Sequence, residues 1–324
     1  MKFRAPSAIA MLVGLGALVV AAPALNARQT FRSAAEAVRL DVFVSDGRRP
    51  IGGLTARDFE VRDMGAPQSV RVEAARSGDI DVILTLDVSD SLSPERLDAL
   101  KAAARQVIEL LAANDRVAIV TFNHLVTLRS SLDSSRAASL AALDELVPAG
   151  GTALYDGVFA GVMSARPGPE RRTLQVVLSD GGDSASWLDA SQVRDAVRRS
   201  PVVVYSLAPA LPKFLSAGMN LSEIGSPGVS SRRRPTFDLS SPAIEGVLDS
   251  GFMRDVARDT GGRTLYVDRP AATAAAFRQA FEEFRQRYLI TYTPSREDKG
   301  WHPVSVTVTS RRGASVFVRS GYIK

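Results

Sequence analysis

The chain has 324 residues, of which 45% are hydrophobic and 23% are charged, and this composition excludes extensive intrinsic disorder. It contains no cysteine, which excludes disulfides, thiolate metal sites and a thiol nucleophile. The formal net charge of +5 is small for this length and the basic residues are scattered, so we do not expect a nucleic-acid-binding surface.

The first 27 residues have the layout of a secretory signal peptide. Lys2 and Arg4 precede an apolar segment from Ala8 to Ala22, and small residues follow up to Ala27. The apolar segment has about 15 residues, fewer than the roughly 20 that a spanning helix needs, which favours cleavage over an uncleaved anchor. We therefore expect an exported protein, periplasmic, surface-located or secreted, with no integral membrane segment after signal cleavage.

The two ends of the remaining chain have the pattern of β-strands. The flanks are residues 28–78 and 291–324; apolar and polar side chains alternate over residues 38–75 and over the last 37 residues, as in VRLDVFVSD and VSVTVTS, with glycines between the alternating stretches. This period of two predicts half-buried antiparallel strands. Because each flank is too small for a stable core of its own, we expect the two to fold together as one β-sandwich-like unit.

Residues 79–290 alternate instead between apolar strands and amphipathic helices. A helix is predicted to begin after Ser93, which can cap it, with Pro94 in its first turn. The proline-rich stretch 208–245 has weak periodicity and is predicted to be a surface excursion. Repeated βα units predict a doubly wound, mostly parallel sheet inserted between the β-rich flanks. The predicted strands, in chain order, are Val82–Leu86, Val117–Phe122, the weaker candidate Val126–Arg129, Thr173–Leu178, Val202–Leu207 and Thr264–Val267.

Oxygen-bearing side chains follow the strands of this predicted sheet. Asp87, Ser89 and Ser91 come directly after the first strand, Thr152 follows a Gly-Gly turn, and Asp180 follows the fourth strand. Because ligands of open parallel sheets bind where the carboxyl ends of the strands meet, we expect these five side chains to converge. Two carboxylates and three hydroxyls suit Mg²⁺, with Mn²⁺ tolerated.

These residues resemble a known family. The string D-V-S-D-S at 87–91, Thr152 after G-G, and Asp180-Gly181 look like the metal-ion-dependent adhesion site of von Willebrand factor A domains, and the resemblance covers roughly residues 79–290. The flanks, with G-L-T-A-R-D-F-E ahead and a terminal R-S-G-Y, are similar to exported bacterial proteins with a domain of this type.

The resemblance implies that Ser89, Ser91 and Thr152 bind the metal through their hydroxyls, with Asp87 and Asp180 acting directly or through water. It further implies that an Asp or Glu carboxylate of a partner protein completes the metal's coordination. One departure is Asp90, where the family commonly has glycine. An extra acid beside the site would either tighten cation binding or weaken the attraction for a carboxylate.

Two other functions compete with a metal-dependent binding module, which would not be an enzyme. A hydrolase is one: phosphatases with a similar strand end need D-x-D, but Ser89 replaces the second acid. The only histidines, His124 and His302, are not accompanied by a G-x-S-x-G elbow, and we expect both to be solvated or structural. The other is a structural envelope protein whose cation only holds the loops together. Asp183 is predicted to be either an outer acceptor of the site or a cap of the next helix.

Overall fold

The computed structural model of the protein describes residues 37–74, 78–166, 168, 171–179, 182–209 and 242–324. The predicted signal peptide at 1–27, the candidate ligand Asp180, and residues 210–241 of the predicted excursion lie outside the described residues. Within the described ranges, no helix is both long enough and apolar enough to cross a membrane.

The N-terminal flank consists of short strands, as its alternating pattern predicts. A single-turn 3₁₀ helix, Ala56–Asp58, leads into the third strand and is capped by Thr55, whose amide donates to the Asp58 carboxylate. The strands are β1 (Val38–Asp46), β2 (Arg49–Pro50), β3 (Phe59–Asp63), β4 (Ala66–Gln68) and β5 (Arg71–Ala74).

The central part forms a six-stranded sheet. Its strands are β6 (Ile80–Asp87), β7 (Arg116–Phe122), β8 (Val126–Ser130), β9 (Arg172–Leu178), β10 (Val203–Pro209) and β11 (Thr264–Val267). The spatial order is β11-β10-β9-β6-β7-β8, and every neighbouring pair is parallel except β7 and β8. Every residue of β6 is buried, which agrees with its place in the middle of the sheet.

Helices cover both faces of this sheet, so the predicted doubly wound fold is confirmed. The helices α1, α2 and α6 pack on one face, and α3, α4 and α5 pack on the other. Ser93 caps α1 as predicted, with its hydroxyl accepting from the Arg96 amide at 3.4 Å. The helices are α1 (Pro94–Leu110), α2 (Arg136–Asp144), α3 (Leu154–Met163), α4 (Ala190–Arg199), α5 (Pro242–Thr260) and α6 (Thr273–Arg285).

The C-terminal strands pair with the N-terminal flank. They are β12 (Tyr288–Tyr292), β13 (Trp301–Val308), β14 (Ser315–Phe317) and β15 (Gly321–Ile323). One sheet has the order β14-β1-β12-β5, with β2 beside β1, and the other has the order β15-β13-β3-β4. Apolar side chains from β1, β3, β12 and β13 form one shared core, so the two flanks make a small β-sandwich. Its C-terminal part begins at Tyr288, ahead of the predicted boundary at residue 291.

A buried polar cluster in the sandwich joins the two flanks. The Asp63 carboxylate on β3 accepts hydrogen bonds from the hydroxyls of Tyr292 at 2.9 Å and Tyr322 at 2.7 Å, and it lies 2.8 Å from Nδ1 of His302. Burial, together with the hydrogen bond to Asp63, raises the pKa of both tyrosines. Nε2 of His302 lies 2.7 Å from the carbonyl oxygen of Asp298. Both ring nitrogens of His302 thus lie within hydrogen-bond distance of buried or partly buried oxygen atoms.

A second polar junction connects the sandwich to the central domain. Asp259, near the end of α5, accepts hydrogen bonds from Arg194 and Arg198 of α4 at 2.8 Å each. Its backbone carbonyl accepts from the amide of Ser320, which precedes β15. Burial raises the pKa of Asp259, but the two arginines outweigh that effect and hold it below its usual value. The ionised carboxylate therefore stabilises this junction.

Candidate metal centre

The loop after β6 brings three of the predicted site residues together. Asp87 is 2% exposed, and its Oδ1 accepts from the amide of Ser89 at 2.9 Å, which turns the chain immediately after the strand. This turn places the hydroxyl of Ser89 at 2.9 Å from the hydroxyl of Ser91. β6 lies between β9 and β7, where the chain connections of a doubly wound sheet diverge and leave a crevice. A carboxylate and two hydroxyls thus stand at the usual ligand position of this fold.

The loop that carries Thr152 is held against the first loop by main-chain hydrogen bonds. The amide of Asp90 donates to the Gly150 carbonyl at 2.9 Å, and the amide of Ala149 donates to the Val88 carbonyl at 2.9 Å. Gly150 has a φ of 70°, and a Cβ at this position would overlap the ring of His124. Glycine is therefore required here on both conformational and steric grounds.

Thr152 itself is 7% exposed, and its amide donates to the hydroxyl of Ser184 at 3.0 Å. Its own hydroxyl has no hydrogen-bond partner among the residues that the structure describes. A hydroxyl that has no partner within the described protein is suited to bind a ligand.

The third predicted loop follows β9, and its described contact with the site is made by Ser179. Asp180 lies outside the described residues, so its predicted role stays a prediction. Its neighbour Ser179, at the end of β9, donates a hydrogen bond of 2.9 Å from its hydroxyl to Oδ2 of Asp87. This contact brings the end of β9 to the same edge of the sheet. Sequence reasoning missed Ser179, although a polar residue directly after an apolar strand and before a candidate ligand was an available signal.

Asp183, in the segment after this loop, forms a hydrogen bond to the start of α3. This contact corrects the expectation that Asp183 caps the next helix in the chain. Its Oδ1 accepts from the amide of Tyr155 at 3.3 Å and from the hydroxyl of Ser186. Asp183 therefore caps α3 rather than the helix that follows it in the chain, whose cap is Asp189. Only the structure reveals this role of Asp183, because a hydrogen bond between segments far apart in the chain leaves no local sequence pattern.

The donor chemistry of the site fits a hard cation. Within the described part of the chain, no group of three or more His, Cys, Asp or Glu residues is arranged to hold a metal. The candidate centre consists instead of one described carboxylate, Asp87, and the hydroxyls of Ser89, Ser91 and Thr152. Oxygen ligands of this kind are those that Mg²⁺ and Mn²⁺ prefer, and the residues present therefore fit such an ion.

The two histidines have the structural or solvated character that we expected. His124 is exposed, and its ring covers Gly150. His302 is 0% exposed and bonded to Asp63 in the sandwich. Within the described residues, neither ring has a hydrogen bond to a serine hydroxyl, so the contacts give no sign of a hydrolytic triad.

A comparison with known families bears on this edge of the sheet. Residues 82–182 match the family model for the von Willebrand factor type A domain. This chain contains a von Willebrand factor type A domain. The match extends from β6 past the end of β9 and thus includes all five predicted site residues. The resemblance drawn from D-V-S-D-S, Thr152 and Asp180 is confirmed at the level of the family, as is the fold class.

Curated proteins are also similar to parts of this chain. A UPF0353 protein of Mycolicibacterium paratuberculosis is 31% identical over 220 residues, which are 63% of this chain and 59% of that protein. An uncharacterized protein of Synechocystis is 31% identical over 134 residues, 38% of this chain and 32% of that protein. A tetraacyldisaccharide 4'-kinase of Anaeromyxobacter dehalogenans is 29% identical over 198 residues, 59% of this chain and 50% of that protein. The chain thus spans between about one third and three fifths of these relatives.

Solved structures are similar at lower identity. BatB of Bacteroides thetaiotaomicron has a TM-score of 0.44 and 21% identity, covering 64% of this chain and 98% of that chain. The proximal thread matrix protein 1 of the mussel byssus, solved with zinc in its MIDAS motif, has a TM-score of 0.39 and 22% identity, covering 44% of this chain and 38% of that chain.

Proposed function

We propose that this protein is an exported, metal-dependent protein-binding module. The observation that carries the proposal is the cluster of Asp87, Ser89 and Ser91 at the end of the central strand, held beside Thr152 by main-chain hydrogen bonds. Mg²⁺, or Mn²⁺ in its place, is the proposed ion. Asp180 would complete the set from the end of β9, next to Ser179. The proposal of export rests on the signal-like segment at residues 1–27.

The partner would present an Asp or Glu side chain. Three of the five ligands are neutral hydroxyls, so a divalent cation held by this set retains positive charge that attracts a carboxylate. Asp87 already accepts hydrogen bonds from the Ser89 amide and the Ser179 hydroxyl, which spread its negative charge. The exposed Asp90 adds an acid beside the site, and its removal should change the affinity for an acidic partner.

A binding role is preferred to catalysis because the described site offers no activated nucleophile. The hydroxyl of Ser89 faces another hydroxyl, that of Ser91, and the only histidine near this edge, His124, covers Gly150 instead. An ion that served only to hold the loops together would be equally compatible with the ligands. Binding of a carboxylate separates the two roles.

The experiment is isothermal titration of Mg²⁺ and Mn²⁺ into the protein and two variants. Ser91→Ala removes one proposed ligand from an exposed position, so the fold should not suffer. Ser93→Ala, the matched control, removes a hydroxyl from the same loop that caps α1, and it should cost about 1 kcal/mol of stability without affecting the ion. We expect saturable binding in the wild type, binding at least about tenfold weaker in Ser91→Ala, and unchanged affinity in Ser93→Ala. A wild type that binds neither ion, or variants that bind equally, would contradict the proposal.

A further inference from the structure

An exposed apolar groove lies beside the candidate metal centre. Its apolar walls are Leu125 and Val126 at the start of β8, Phe159 on α3, and Trp187 and Leu188 in the loop before α4. The cavity between them measures about 350 Å³. Trp187 is 93% exposed and Leu125 is 64% exposed. Large apolar side chains gathered at one exposed place usually mark an interaction site. We call this surface the Trp187 groove.

The main chain of the groove is held firmly although its side chains face solvent. The Asp156 carboxylate on α3 accepts from the amide of Trp187 at 2.9 Å with one oxygen and from the amide of Leu188 at 3.0 Å with the other. The indole is therefore presented from a fixed backbone. Because its main chain is already held, this residue loses little backbone entropy when a partner covers it, and tryptophan is enriched among residues that dominate binding energy.

The groove is continuous with the candidate metal centre on both sides. On one side, Ser184 accepts from the amide of Thr152, and Trp187 follows Ser184 by three residues. On the other side, the ring of His124, which also lines the groove, covers Gly150. Three residues of chain span at most about 11 Å, so Trp187 lies close enough to Ser184 for one partner segment to contact both the metal centre and the groove.

We infer that the Trp187 groove binds a bulky apolar side chain of the same partner segment that supplies the acidic residue. This inference rests on the proposed function and specifies the partner. An extended segment advances about 3.3 Å per residue, so the apolar residue should stand about three positions from the Asp or Glu. The partner is therefore a protein segment that combines one acid with a Trp, Phe or Leu at this spacing.

The composition of the groove favours a protein partner over a lipid surface. Surfaces that insert into membranes combine exposed apolar residues with Lys or Arg that contact lipid phosphates. None of the described residues that line the groove is Lys or Arg, and the charged residue among them is Asp156. The groove is an open depression of about 350 Å³, which is large enough to receive one apolar side chain.

The test uses a phage-displayed library of random peptides selected on the full protein in buffer with Mg²⁺ and Mn²⁺. Affinities of the selected peptides are then measured for Trp187→Ala and for a matched control, Met163→Ala. Met163 is 64% exposed and lies at the far end of α3. We expect peptides with an acid and an aromatic or leucine about three positions apart. They should bind Trp187→Ala about 30-fold more weakly than the wild type and bind Met163→Ala with unchanged affinity.

The outcomes separate this inference from the proposed function. Peptides that bind Trp187→Ala and the wild type equally, or a selection that yields no binding peptide, would overturn the inference, while the cation titration still judges the metal centre. Peptides that need Trp187 but bind equally with a chelator present or with Ser91→Ala would support the groove and overturn its link to the metal. Binding of the wild type, but not of Trp187→Ala, to vesicles of phosphatidylcholine and phosphatidylglycerol would assign the groove to lipid and overturn the protein partner.

Discussion

Replacing Asp63 with asparagine should destabilise the β-sandwich strongly. Asp63 is 3% exposed, and its carboxylate faces the buried ring of His302 and the hydroxyls of Tyr292 and Tyr322. Asparagine keeps the shape but removes the negative charge and replaces one acceptor oxygen with a donor. The Asp63 side chain serves three neighbouring side chains, and each buried donor left without an acceptor costs about 1–3 kcal/mol, so we expect a loss of about 3–5 kcal/mol. For a protein of this size that corresponds to a fall in Tm of about 10 °C.

The assay is urea unfolding followed by circular dichroism, with Asp144→Asn as a control. Asp144 forms an ion pair with Arg105, but its side chain is 66% exposed, so its loss should cost no more than about 1 kcal/mol. Tyr322→Phe removes one donor to Asp63, and the double variant measures how strongly β3 and the C-terminal strands are coupled. A free energy of unfolding for Asp63→Asn within about 1 kcal/mol of the wild type would refute the reasoning, because several buried donors cannot lose their acceptor at so small a cost.

Three further predictions concern backbone geometry and pH. Gly150→Ala forces a Cβ against His124 at a φ of 70°, so we expect a loss of about 1–3 kcal/mol in urea unfolding, part of which the additional change His124→Ala restores. The lowered pKa of Asp259 means that its stabilisation is present above the usual pKa of about 3.9 and is lost as the pH falls. The stability difference between the wild type and Asp259→Asn should therefore shrink from pH 7 to pH 3, and a constant difference would contradict this view. Because burial raises the pKa of Tyr292, its phenol should stay protonated in the folded protein at pH 11, whereas its stabilisation is full below the usual pKa of about 10 and is lost progressively as the pH rises above that value. Ultraviolet titration should accordingly show the same ionisation in the wild type and Tyr292→Phe up to pH 11.

The positions of most strands and helices could be predicted because they depend on local patterns. The strand Thr264–Val267 begins and ends as predicted, and α1 begins after its cap, Ser93. Side-chain periodicity records which face of an element is buried, and a capping residue marks where a helix must begin. The loop site followed from the same logic, since D-x-S-x-S after a buried strand has to lie at the carboxyl edge of a parallel sheet.

Contacts between distant segments were decided by the tertiary structure alone. The sequence indicated Asp87, Ser89 and Ser91, but not that Ser179 would donate to Asp87. Nor did any pattern pair Asp63 with His302, which are 239 positions apart. The reason is physical: periodicity reports the burial of one element, whereas the partner of a buried polar group depends on which elements pack together and in which register. By itself the sequence thus determined the elements and the edge of the sheet at which the candidate ligands lie. Packing decided which hydrogen bonds hold the candidate ligands in place and left the Trp187 groove exposed beside them.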